Sequence, residues 1–238
     1  MRGRLALAFF TAVALVAAAP LMSGPSSRIT WTLETVKLAR SGDAAKGKKL
    51  HADCAQCHGE AGNVDIPDVP DLGGQNSLYI YKQLSDYKAG SRVSSIMTDI
   101  AATLSDHDMA DLAAFYAAQK TPRSTGKPAP PNPAAVKLAT VGDGARLIPA
   151  CDVCHGDRGA GNPSFYGMPA LKDQKSQDLA VQLMAFRSSE RANDVYRVMR
   201  DPCKHLTDSE IGALASYYSG APPEQPPAIS ATRPPEKK

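Results

Sequence analysis

Cys54-Ala-Gln-Cys57-His58-Gly59 recurs 97 residues later as Cys151-Asp-Val-Cys154-His155-Gly156, and the likeness spreads outward from these two hexapeptides. Gly62-Asn63, Pro70-Asp-Leu72, Gln83-Leu84 and Tyr87-Lys88 return as Gly161-Asn162, Pro169-Ala-Leu171, Gln182-Leu183 and Phe186-Arg187, all at an offset of 99. Further on, Met97, Leu104, Leu112, Ala113 and Tyr116 are matched by Met199, Leu206, Leu214, Ala215 and Tyr218 at an offset of 102. A repeat that keeps its order and gains only two and then three residues is a duplicated domain, and two copies are too few for a solenoid.

Each copy reads as helical. Asp43 can cap a short helix running toward Cys54, and Asn76-Ser77 precede a helical pattern over Leu78 to Ala89. Ser105-Asp-His-Asp108 and Thr207-Asp-Ser-Glu210 have the form of capping boxes ahead of apolar helices. No segment alternates with the two-residue period of a strand, so the fold class is all-α. The stretches from Gly59 to Gly74 and Gly156 to Pro169 must then be irregular loops, long for a domain of about 80 residues. Aromatic residues are only 6% of the chain, with one tryptophan, so side chains alone make a thin core.

The two Cys-x-x-Cys-His motifs predict what fills it. Two thiols three residues apart can each add to one vinyl group of a haem, and the adjoining imidazole then lies under the iron. Cys54 and Cys57 with His58, and Cys151 and Cys154 with His155, are the expected attachment sites of two covalent haem c groups. Zinc binding suits the motifs less well, because a histidine abuts each pair in register, and a thioredoxin-like pair would need a strand that is absent. The second axial ligand decides between electron transfer and small-molecule chemistry. Met97 follows His58 by 39 residues and Met199 follows His155 by 44, and these are methionines at matching repeat positions. Met109, Met168 and Met184 are paired with Ile211, Val69 and Ser85 and read as core filling.

The 238 residues divide accordingly. Arg2 and Arg4 followed by an uncharged run ending in Ala17-Ala18-Ala19 predict an export signal over residues 1–24, with cleavage and retention as an inner-membrane anchor both open. Residues 25–41 form an N-terminal extension around Trp31, 42–120 the first domain, 121–140 a Pro-rich linker, 141–219 the second domain and 220–238 a disordered tail. Eleven of the nineteen prolines lie in the linker and tail, which stiffens the one and unfolds the other. The net charge of +3 is a cancellation between domains of −4 and −1 and basic connecting segments, which excludes a nucleic-acid-binding face. Cys203, the fifth cysteine, has no partner in the repeat; intermolecular pairing and a reactive thiol stay open beside the commoner reading of a buried inert thiol. His51, His107 and His205 read as surface histidines, with His205 the alternative iron ligand near Met199 and His51 too close to the first motif to replace Met97.

With its tandem Cys-x-x-Cys-His-Gly units, Pro-x-Leu segments, Gln-Leu-x-x-Tyr/Phe-Lys/Arg helices, downstream methionines and final Leu-Ala-x-Tyr helices, the chain resembles class I c-type cytochromes in the two-haem cytochrome c4 arrangement. The resemblance covers about residues 42 to 219. It implies that His58 with Met97 and His155 with Met199 are axial pairs, and that Pro70 and Pro169 offer carbonyls to the free histidine nitrogens. It further implies a periplasmic electron carrier rather than an enzyme, working between a donor such as a quinol-oxidising complex and an acceptor such as a terminal oxidase. The alternative is the cytochrome subunit of a periplasmic dehydrogenase such as a sulfide-oxidising flavocytochrome. A two-haem peroxidase would need an open iron, which the paired methionines oppose.

Overall fold

A computed structural model describes residues 27, 29, 31–120, 130–162 and 164–221; the expected export segment, residues 121–129 of the expected linker and residues 222–238 of the expected tail lie outside these. The described residues are helical, with one isolated antiparallel bridge between Asp143 and Ile148 and no strand beyond it. In the first domain α1 (Leu33–Arg40) is followed by α2 (Ala44–Leu50), α3 (Ala52–His58), α4 (Ser77–Lys88), α5 (Met97–Ala102) and α6 (Asp106–Ala117). The second contains α7 (Pro133–Thr140), α8 (Cys151–His155), α9 (Ser176–Ser188), α10 (Arg200–Cys203) and α11 (Asp208–Ser219).

Local chemistry sets these limits. The Asp43 carboxylate accepts from the amides of Ala45 and Lys46, and the Asn76 side chain accepts from Leu78. Both expected capping boxes are formed, Ser105 with Asp108 and Thr207 with Glu210. Residues 133–140, read as linker, are instead α7: Asn132 caps it, Pro133 fits its first turn, and Ala135, Leu138 and Ala139 are buried in the second core.

Each core is a small cluster in which α6 or α11 is central. Met109, Leu112 and Tyr116 are fully buried in the first domain, and Ile211 and Leu214 in the second. Burial of side chains of this size contributes about 1.5–3 kcal/mol each. Much of the remaining core is alanine, which lets helices approach closely. At Gly47, α2 lies so near α6 that a Cβ would sit 2.1 Å from the Asp111 carbonyl oxygen.

A half-exposed ion pair braces the approach to the second motif. Arg146 donates to both carboxylate oxygens of Glu210, at 3.0 and 2.7 Å, and to Asp143 at 2.8 Å. These bonds hold the Glu210 carboxyl at about 2, below its ordinary 4.5. Because the folded-state value is depressed, the stabilisation is complete above pH 4.5 and disappears as pH falls toward 2. Glu210→Gln keeps the capping box but loses the charge. It is expected to cost up to about 1 kcal/mol at neutral pH and to flatten the pH dependence of the denaturation midpoint between pH 4.5 and 2.

The two domains pack through polar groups. Lys82 and Asp86, both buried on α4, form an ion pair, and Lys82 also donates to the Asn193 carbonyl of the second domain at 2.7 Å. The Asn193 amide donates to Gln83 and Asp86. Arg92 stacks on Tyr87 and donates to Gln83 and Gln182; its repeat partner Arg191 stacks on Phe186 and donates to the same two glutamines. The contact is therefore pseudo-symmetric: each guanidinium reaches one glutamine of its own domain and one of the other.

The N-terminal extension joins the same assembly. Val36 and Ala39 of α1 are buried, and Trp31 lies against Gly167 of the second domain, where a Cβ would sit 2.6 Å from the indole. Arg40 lies over the Tyr166 ring, and Ser27 donates to Asp86 at 2.7 Å. The segment thus packs on the first domain and also ties it to the second.

Candidate haem-binding sites

α3 and α8 carry the two motifs, with the first cysteine of each half-buried and the histidine in the last turn. Gly59 (φ 77°) and Gly156 (φ 80°) end the helices in a region that side chains rarely adopt. A Cβ there would sit 2.2 Å from the Asn63 oxygen or 2.1 Å from the Gly161 oxygen. The glycine after each histidine therefore lets the following loop fold back tightly beside the motif.

Those loops orient the imidazoles. His58 Nδ1 is 2.9 Å from the Pro70 carbonyl oxygen, and His155 Nδ1 is 2.9 Å from that of Pro169. A carbonyl only accepts, so Nδ1 carries the proton and the Nε2 lone pair is left free. Burial lowers the pKa of both rings and keeps them neutral. Burial also raises the Cys54 thiol and pushes that of Cys151 up to about 11. All five cysteines are unpaired, which leaves the four motif thiols available for other bonds.

The methionines occupy equivalent places before the last helix of each domain. Met97 opens α5 and Met199 immediately precedes α10; both are half-buried. Their bracing differs. The Met97 amide donates to Ser94 Oγ at 3.2 Å, whereas the Met199 amide donates at 3.0 Å to Asp194, a buried carboxylate paired with buried Arg200. The three residues gained before Met199 form a short turn in which Tyr196 and Arg197 take left-handed conformations, with Tyr196 almost wholly exposed.

The donor set suits a covalently held haem: paired unbonded thiols, a neutral imidazole with its Nε2 lone pair free, and a methionine at the equivalent repeat position of each domain. The buried Tyr116 hydroxyl lies beside the Cys54 sulfur, which places the last helix of the first domain against its motif. Cys203 is buried in the second core, with burial pushing its thiol up to about 12, and His51 bonds Lys48 and Glu60 against Phe115.

Residues 44–119 and 141–220 each match the cytochrome c family model. Cytochrome c4 of Pseudomonas aeruginosa is 39% identical over 193 residues, covering 79% of this chain and 94% of its own length. The chain belongs to the cytochrome c4 family. A thiosulfate dehydrogenase electron acceptor of Stutzerimonas stutzeri is 34% identical over 206 residues, covering 80% of the chain and 94% of that protein. The crystal structure of reduced recombinant cytochrome c4 from Pseudomonas stutzeri superposes with a TM-score of 0.69 at 36% identity, covering 76% of this chain and 99% of that one. As a cytochrome c4, the chain carries two covalent haem c groups and transfers electrons rather than catalysing a reaction of its own. Among the described residues no helix is long and apolar enough to cross a membrane.

Sequence reasoning missed the polar interface. Its signal was present, since Gln75 and Arg92 recur as Gln174 and Arg191 at the offset of 99 that governs the rest of that segment.

Proposed function

We propose that this chain is a periplasmic carrier of single electrons between a respiratory donor, such as a quinol-oxidising complex, and a terminal oxidase or reductase. The observation that carries the reading is the matched pair of histidines, each presenting Nε2 while a proline carbonyl holds Nδ1. Cys54 and Cys57, and Cys151 and Cys154, would hold the two haems, and His58 with Met97 and His155 with Met199 would be the ligands of the two irons. Each bound haem supplies a one-electron iron couple. The residues' part is to fix the imidazole, keep water away and, through the thioethers, favour the reduced state.

Exposed Asp53, Glu60, Asp65 and Asp68 around the first motif favour a partner with a basic docking patch. The test is stopped-flow oxidation of the reduced protein by membranes containing a terminal oxidase. Two electrons delivered per chain, at a rate that falls as ionic strength rises, support the reading. One electron per chain, a salt-insensitive rate, or peroxide turnover by the protein alone contradicts it.

The thiosulfate dehydrogenase electron acceptor among the relatives favours a second reading, in which the donor is a sulfur-compound dehydrogenase and this chain its electron-accepting partner. Rapid reduction by such a dehydrogenase with thiosulfate, and none by a quinol-oxidising complex, would select it.

A further inference from the structure

We propose that each axial histidine is tuned from the opposite domain, through a single peptide group, by Gln174 for His58 and by Gln75 for His155. The Pro70 carbonyl that accepts from His58 Nδ1 belongs to the same peptide unit as the Asp71 N–H, which donates to Gln174 Oε1 at 2.8 Å. In mirror fashion, the Pro169 carbonyl accepts from His155, and the Ala170 N–H of that peptide donates to Gln75 Oε1 at 2.8 Å. Each glutamine also donates its amide to the next carbonyl, Gln174 to Asp71 at 3.0 Å and Gln75 to Ala170 at 2.9 Å, so its orientation is fixed.

Neighbouring side chains clamp the same loops. Lys175 donates to the Val69 carbonyl and to the Asp71 carboxylate, while its repeat partner Asn76 donates to the Met168 carbonyl. Gln75 and Asp71 are buried, so these bonds are sheltered from solvent.

The two ends of a peptide group are electronically linked. When its N–H donates to a good acceptor, its carbonyl oxygen becomes more negative and accepts more strongly, a gain of roughly 10–30% per bond. A stronger pull on the Nδ1 proton makes the imidazole a more basic ligand, which favours the ferric state and lowers the reduction potential. Gln75 and Gln174 are thus positioning residues acting on the haem of the other domain. The inference rests on the proposed histidine ligation.

The test uses the two-haem protein with Gln174→Met or Gln75→Met, nearly isosteric changes that remove the acceptor. Proton NMR follows the hyperfine-shifted Nδ1 protons of the two histidines while the sample is reduced stepwise. Gln174→Met is expected to move the His58 proton and raise the potential of the first haem, leaving the second unchanged; Gln75→Met gives the opposite pattern. Gln75→Glu keeps an acceptor for the Ala170 N–H and is expected to lower the second haem's potential rather than raise it. A shift in the same-domain haem, equal shifts in both, or no shift would overturn the proposal. Absence of a hyperfine-shifted ring proton from His58 or His155 in the unaltered protein would instead overturn the ligation on which it rests.

Discussion

A chain in which Cys151 and Cys154 are both serine is expected to carry one haem instead of two, with the loss confined to the second domain. Serine preserves size but removes the nucleophilic sulfur, so neither thioether bond can form. The consequence extends beyond cofactor content, because the second domain's described core leans on alanines and a handful of larger side chains. Domains this small bury too little surface to be comfortable without a staple, here a haem joined at two points. A pyridine haem assay should therefore fall from two to one per chain, and thermal unfolding should show the second domain melting first. Two haems in the variant would mean that the motif is not the attachment site.

Asp86→Ala is expected to be the most damaging single change at the domain contact. Asp86 is completely buried and accepts from Lys82, Asn193 and Ser27. Its removal leaves the Lys82 ammonium buried with the Asn193 carbonyl as its remaining partner, and stranding a buried charge costs about 3–5 kcal/mol. Burial already lowers the Lys82 pKa, and loss of Asp86 lowers it further. A lysine whose folded-state value lies below the ordinary one binds fewer protons folded than unfolded, so stability rises with pH until the unfolded lysine also deprotonates, near 10.4. Denaturation of the two-haem variant should thus show a large deficit at pH 7 that narrows by pH 9.5. An unchanged midpoint at pH 7 would show that the pair contributes nothing.

The motifs, the duplication and both capping boxes could be read in the sequence because each depends on residues close together in the chain. Proline count misled at residues 133–140, where Asn132-Pro133 is a helix-start signal that carried more weight than its proline-rich setting. The break at His51 between α2 and α3 has no breaker residue to mark it. Lys82, Gln83 and Asp86 belong to a helix face that hydrophobic periodicity assigns to water. They are buried because the second domain covers them, a long-range fact invisible to a pattern within one helix. Similarly, the cross-domain roles of Gln75 and Gln174 follow from how the copies pack, not from either copy alone.

The central claim is that two irons are each closed by a histidine and a methionine, and one absorption measurement tests it most directly. The oxidised protein should show the weak Met-to-iron charge-transfer band at twice the amplitude of either Met97→Ala or Met199→Ala, and the double variant should lack it while still carrying two haems. A band that survives both substitutions, or is absent from the unaltered protein, would contradict the account.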